Sequence, residues 1–258
     1  MDLQLKGKTA LVLGGSKGLG RGVAEALAAE GVAVALGARG REALDKTAAE
    51  INARGGGRAI AVTADTGDWA SLERAVKTTR DQLGPIDILL NNHGGPPPSP
   101  VLGVKPEIWE AQFHAMVLNI FRVTELVLPD MQARKWGRII NVASESVVQP
   151  IAAIGISNTL RGAIAGWAKT LAGEVARDGI TVNTLLPGPF ATDRVLSVAA
   201  RQNIPAEEVA QRVARTVPVG RLGTPAEFGA VAAFLASPLA AYITGSLIRV
   251  EGGNIRSI

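Results

Sequence analysis

The chain contains no cysteine. That excludes disulfides, thiolate metal sites and cysteine nucleophiles, and it fits a cytoplasmic location, which is the one expected. Aromatic residues make up only 4% of the 258 residues, so a core must be built from Ala, Val, Leu and Ile. There is one tyrosine, Tyr242. No window approaches eighteen unbroken apolar residues, so no membrane span is expected. The opening MDLQLKGKTALVLGG has one short apolar run that leads into glycines, the mark of a strand and not of a signal peptide. The net charge of +4 comes without any basic stripe interleaved with aromatics, so nucleic acid is not an expected partner. No His and carboxylate cluster has metal-ligand spacing, and no metal is expected.

What is present is an alternation of two patterns along the whole chain. Strand-like runs read TALVLGG, VAVALGAR, RAIAVTAD, IDILLNN, GRIINVAS, GITVNTLLPG and GSLIRVEGG. Between them lie helical patterns: GRGVAEALAAEG, REALDKTAAEINARG, WASLERAVKTTRDQLG, a long stretch from about Glu107 to Arg134, and a small-residue stretch from Pro150 to Ala176. The strand runs are continuously apolar, as they must be when helices cover both faces of a sheet. The expected fold is therefore α/β: a doubly wound parallel sheet of Rossmann type, in a single domain over 1–258. The stretch from about Pro187 to Ala226 breaks the rhythm and is expected to form a lid at about 188–226.

Between the first strand and first helix, LGGSKGLGRGVAEAL places Gly14, Gly18 and Gly20. Glycine there lets the backbone turn and lets a pyrophosphate approach the amide N–H groups of a helix N-terminus. Gly14, Ser16, Lys17, Gly18, Leu19 and Gly20 are thus candidate cofactor residues; the alternative is a tight turn with no ligand. The second strand ends with Gly37, Ala38, Arg39 and Arg41 and carries no carboxylate. An acidic residue there would bind the adenosine ribose and repel a 2′-phosphate. Its absence, with Arg39 and Lys17 nearby, favours NADP over NAD, against the alternative of solvated loop charges. Asp65, followed by Thr66, ends the third strand and is expected both to cap the adenine edge and to cap the next helix.

With these residues in place, the chain resembles the short-chain dehydrogenase/reductase family over nearly its whole length. Gly14, Gly18 and Gly20 match that family's first-turn motif, with Leu13 where Thr is usual. LLNNHGG resembles its Asn-Asn-Ala-Gly strand, retaining Asn91, Asn92 and Gly94, with His93 in place of Ala. The resemblance implies that Asn119 is the active-site helix asparagine and Ser144 the substrate-binding serine. It further implies that VNTLLPGPFAT holds the nicotinamide, with Pro187, Gly188 and Thr192 in the turn. ITGSLIRVEGG matches the last strand, with Glu251 where Asp is common.

The family's catalytic Tyr-x-x-x-Lys is missing. Counting back from Lys169, or thirteen residues forward from Ser144, puts Ser157 at the tyrosine and Arg161 at the lysine. No shift of register recovers a tyrosine, because Tyr242 belongs to the last motif. In the family, that tyrosine passes a proton to the carbonyl as hydride arrives, its pKa lowered from about 10. A serine hydroxyl is less acidic and lacks the ring's reach. Arg161 keeps a cation able to bond the nicotinamide ribose, but it does not release its proton.

His93 is the first candidate to replace the acid, since an imidazole titrates near neutrality; the alternative is a residue that fills a pocket or caps a turn. Glu145 would serve if burial raised its pKa; otherwise it is a solvated loop carboxylate. His114 is expected at the surface or an interface. The candidate catalytic set is then Ser144, Ser157, Arg161, Asn119 and His93, and the candidate cofactor set adds Arg39, Asp65, Thr66 and Asn92.

Three functions remain in play. The first is an NADP-dependent oxidoreductase acting on a small-molecule carbonyl or alcohol, similar to a 3-oxoacyl-carrier-protein reductase, with an altered proton-transfer site. The second is a non-catalytic NADP-binding sensor or assembly partner, and the third a lyase or isomerase. The resemblance also implies a homo-tetramer, built through the long helices. The small residues Gly162, Ala165, Gly166, Ala172 and Gly173 permit close packing there, or equally against the sheet.

Overall fold

The computed structural model describes residues 2–258, apart from the side chains of residues 194–196, 201 and 202. Seven strands form one sheet: β1 (Thr9–Leu13), β2 (Ala33–Ala38), β3 (Ala59–Thr63), β4 (Ile88–Asn91), β5 (Gly137–Val142), β6 (Ile180–Pro187) and β7 (Leu247–Val250). Their order is β3-β2-β1-β4-β5-β6-β7, and every pairing is parallel. The helices are α1 (Gly18–Ala29), α2 (Arg41–Ala53), α3 (Trp69–Leu83), α4 (Pro106–Phe113), α5 (Asn119–Ala133), α6 (Gly155–Val175), α7 (Asp193–Gln202), α8 (Ala206–Ala214) and α9 (Pro225–Ala236). This is the doubly wound sheet expected from the apolar runs.

Alternate residues of each strand feed opposite layers, because side chains on a strand point to opposite faces in turn. Leu11, Leu89, Ile139 and Val182 pack with Leu72 of α3, Val123 of α5 and Ile164 of α6. On the other face Val12, Leu90, Ile140 and Leu185 pack with Val23 of α1, Leu44 of α2 and Phe228 of α9. Each such side chain, fully buried, contributes about 1.5–3 kcal/mol. Arg138 interrupts the apolar run of β5 and is buried all the same. Its guanidinium donates to the carbonyls of Gly137, Gly179 and Ser237 and lies 4.5 Å from the Trp136 ring centroid. Burial pushes its pKa down to about 10, so it stays charged, with carbonyls in place of water.

The fold departs from the sequence reading at three places. The long helix expected from Glu107 to Arg134 is two α-helices joined by a π-helical turn, His114–Leu118, inside which i→i+5 bonding admits an extra residue. Helix α9, apolar almost all round, was not set apart by periodicity. It is fixed at its start by a capping box between Thr224 and Glu227. The small residues of α6 divide: Ala172 is buried, whereas added Cβ atoms on Gly162, Gly166 and Gly173 would meet nothing within 4 Å. Those glycines therefore face outward, away from the sheet. His114 is exposed, as expected.

From β1 the chain runs outward to β2 and β3, then returns to β4 on the other side of β1. At this reversal the loops leaving β1 and β4 diverge and open a crevice at the carboxyl ends of the strands, where ligands of such sheets bind.

Candidate active site

The crevice is a cavity of about 470 Å³. One end is the glycine-rich turn. Helix α1 begins at Gly18 (φ +56°) with no side-chain cap, which leaves first-turn N–H groups without side-chain partners at the cavity wall formed by Lys17, Gly18 and Leu19. A Cβ on Gly20 would stand 2.2 Å from the Gly14 carbonyl oxygen, so turn and helix touch backbone to backbone. Asn92 lies over this contact, its Nδ2 2.4 Å from where a Gly14 Cβ would be, and also lines the cavity. Helix dipole and exposed amides make this end a fit for a pyrophosphate.

The other end gathers Ser144, Ser157, Arg161 and His93 at one cavity. Ser144 follows β5 and starts a one-turn 3₁₀ helix, Glu145–Val147, its Oγ accepting the Ser146 N–H at 3.1 Å. Accepting that bond leaves its own O–H available to donate. Ser157 and Arg161 stand one turn apart on α6, both buried. Arg161 Nε donates to Ser157 Oγ at 3.2 Å, and Nη1 donates to the carbonyls of Val142 (2.9 Å) and Ala143 (2.8 Å). The guanidinium is thus anchored to the end of β5.

The His93 ring is half-buried, and its Nδ1 lies 2.9 Å from the Gly94 carbonyl oxygen. Desolvation, reinforced by the Arg161 cation and opposed by the Gly94 contact, pushes its pKa down to about 3. A ring held neutral lacks the proton that an imidazolium acid would give at neutral pH. Glu145, beside Ser144, is buried, and burial raises its pKa. Asn254 Nδ2 opposes that rise by donating to its Oε2 at 2.8 Å, and the nearby Glu251 carboxylate adds to it. Tyr242 is fully exposed and does not line the cavity.

Other predicted residues take varied places. Asn119 is buried at the start of α5 and donates to the Thr66 carbonyl at 2.8 Å, tying α5 to the loop after β3, but it does not line the cavity. Asp65 accepts the Gly67 N–H at 2.9 Å, while the residue at the start of α3 is Asp68; the expected cap of the helix is a cap of the turn before it. The Ser16 carbonyl accepts from Thr47 Oγ1 at 3.1 Å. Arg39 is exposed at the end of β2, whereas Arg41 pairs with Asp45. Lys17 pairs with Asp193 at 2.7 Å, a partner the sequence reading did not foresee. Pro187, Gly188 and Thr192 line the cavity. From the segment expected as a lid, Val198, Val209, Val213 and Leu222 complete an apolar wall with Phe190. Among the described residues no group of His or carboxylates could hold a metal ion, and no helix is long and apolar enough to cross a membrane.

A family model described as enoyl-(acyl carrier protein) reductase matches residues 14–254. The chain belongs to the short-chain dehydrogenase/reductase family. It is 37% identical over 253 residues to the 3-oxoacyl-[acyl-carrier-protein] reductase FabG of Vibrio cholerae, covering 97% of this chain and 98% of that one. Among solved structures it is similar to the L-sorbose reductase of Gluconobacter frateurii complexed with NADPH and L-sorbose. That match has a TM-score of 0.94 and 31% identity, and covers both chains completely. A variant actinorhodin polyketide ketoreductase with NADPH matches at a TM-score of 0.91 and 32% identity, over 97% of this chain and 98% of that one.

Within this member of the short-chain dehydrogenase/reductase family the sequence motifs named most of the cavity's polar wall. They did not name Glu145 as a member of the site set, or Asp193 at all. Asp193 had no local signal, since its partner lies 176 positions away. Glu145 had one, its place next to Ser144, but the hydrogen bond it accepts comes from Asn254 in the distant C-terminal segment.

Proposed function

We propose that this chain is an NADP-dependent oxidoreductase of small-molecule carbonyl or alcohol substrates, with a proton-transfer site rebuilt around Ser157 and Arg161. The observation that carries the reading is one cavity that joins an uncapped helix N-terminus to the Ser144, Ser157 and Arg161 side chains. The relatives named above are reductases, two of them with NADPH, and the lack of a carboxylate at the end of β2 accommodates the same cofactor here.

The cofactor's residues would be the first-turn amides at Gly18, Leu19 and Gly20, with Asn92, Pro187, Gly188 and Thr192 along the cavity. Arg39 and Lys17 would meet the 2′-phosphate. Gly14 and Ser16 shape the turn, and Asp65 and Thr66 border the adenine side. When bound, the nicotinamide supplies or accepts hydride. Ser144 and Ser157 donate hydroxyl hydrogen bonds to a substrate oxygen. Arg161, a permanent cation, favours negative charge developing on that oxygen without giving up a proton. Asn119 positions α5 against the loop after β3, through the Thr66 carbonyl. The proton itself then comes from water or from a group on the substrate. The segment at 188–226 acts as a lid, and the outward glycines of α6 provide a close-packing face for a homo-tetramer in the cytoplasm.

A second reading, a non-catalytic NADP-binding sensor or assembly partner, draws on the same anchoring of Arg161 to backbone carbonyls, which leaves the tyrosine's task without a successor on α6. Titration with NADPH and with NADH, followed by nicotinamide fluorescence, and then a screen of carbonyl compounds for loss of nicotinamide absorbance separate the two. NADPH binding with turnover supports the reductase, and NADPH binding with no turnover supports the sensor. Preference for NADH defeats the assignment of Arg39 and Lys17.

A further inference from the structure

His93 occupies a position where the family motif carries Ala, so its imidazole adds a group to the cavity. The chemistry of that group follows from its bonds. A carbonyl oxygen has no proton to give, so in the contact with Gly94 the Nδ1 of His93 must be the donor. In a neutral imidazole only one nitrogen carries hydrogen, and the other is then a bare acceptor. Among the described residues, the charged side chains at the cavity are Arg161 from α6, Lys17 from the first turn, Glu145 after β5 and Asp193 at the start of α7. Of these, Arg161 is the one whose charge acts on the ring, and it opposes a second proton. Lys17 and Asp193 are bound to each other, and Glu145 is turned to Asn254.

The polar groups near the reacting end therefore divide by sign. Ser144 and Ser157 supply hydroxyl donors for a carbonyl oxygen, while His93 Nε2 can only accept. We infer that His93 is a specificity residue whose Nε2 accepts a hydrogen bond from a hydroxyl group on the substrate, so that the cavity selects hydroxylated ketones over their deoxy counterparts. The apolar wall of Phe190, Val209 and Val213 takes the remainder of such a molecule. The inference rests on the proposed function for the carbonyl's orientation, but the state of His93 stands apart from it. A site built to bond a substrate hydroxyl rejects an analogue lacking it because the buried partner is left unpaired.

The chain has only two histidines, His93 and His114, so ring nitrogen NMR resolves them, with His93→Ala identifying the signals. In the free protein, His93 is expected to stay neutral with Nδ1 protonated from pH 5 to pH 8. An imidazolium in that range, or the Nε2–H tautomer, overturns the inference. The second step uses protein saturated with NADP⁺ and two ketones of nearly equal shape, 2-hydroxyacetophenone and propiophenone. Calorimetry is expected to give at least about tenfold tighter binding of the hydroxyketone, and its addition alone is expected to move the Nε2 resonance toward that of a hydrogen-bonded nitrogen. His93→Leu is expected to erase the preference, and His93→Gln, which keeps an acceptor, to retain part of it. Equal affinities, no binding of either ketone, or a preference that survives His93→Leu overturns the inference. Failure of NADP⁺ to bind strikes the proposed function instead; the ketone titrations are then read on the free protein by the same criteria.

Discussion

On the glycine-turn side of the cleft the chain keeps what dinucleotide binding asks of it: backbone contact between Gly14 and Gly20, uncapped amides at the start of α1, and a second strand with no carboxylate at its end. On the α6 side, where the family resemblance implies a tyrosine and a lysine, the chain carries Ser157 and Arg161. Ser157 and Arg161 sit one turn apart on a helix that the fold still aims at the cavity, yet the guanidinium spends three contacts on Ser157 and the end of β5. The difference separates two kinds of constraint. The glycine turn is held by backbone packing, so side-chain replacement there disturbs the fold. The α6 pair is held by the hydrogen bonds of its own side chains, to each other and to the carbonyls at the end of β5.

The sharpest way to break this contrast is to restore the missing pair. Ser157→Tyr with Arg161→Lys is expected to raise carbonyl reduction by about 10²-fold or more, read as kcat with NADPH, if a positioned acid is all that is lacking. No gain would mean that the α6 side has changed in geometry as well as in chemistry. Next in size, Arg39→Glu puts a carboxylate at the end of β2 and is expected to weaken NADPH by about 10- to 100-fold in a fluorescence titration, the scale of a lost charged hydrogen bond. NADH is expected to be much less affected. Arg161→Met removes the donor from two buried carbonyls and is expected to cost about 1–3 kcal/mol in denaturant unfolding.

A pH series sharpens the same comparison. His93 has a folded pKa of about 3 against an ordinary 6.5, so the unfolded chain takes up the proton first. The stability this group contributes is present above pH 6.5 and is lost as pH falls from there toward 3. His93→Gln is expected to flatten that part of the unfolding profile. The smallest effect belongs to Asp193→Asn. Its ion pair with Lys17 is exposed, so stability is expected to change by less than about 1 kcal/mol, while release of Lys17 tightens NADPH by a few-fold.

Much of the fold was legible because buried parallel strands are written as unbroken apolar runs, and each run proved to be a strand. The cavity's floor was marked too, since the family resemblance pointed to Ser144, Ser157 and Arg161, and all three line the cavity. What could not be read is long-range. Nothing local in the sequence tells Lys17 that Asp193 will face it, or Glu145 that Asn254 will reach it from 109 positions away. His93 was visible as an oddity in its motif, but its charge state depends on desolvation and then on Arg161, both of which only the folded chain supplies.

The π-helical turn has a consequence of its own. Removing one residue from His114–Leu118 would let α4 and α5 fuse into a regular helix, and α4 would swing by about 100° and slide by about 1.5 Å relative to α5. The face that α4 shows to its surroundings, with half-exposed Ile108 and Phe113, is therefore dialled by a single position. A one-codon deletion there would re-aim that face while leaving the sheet and its crevice standing.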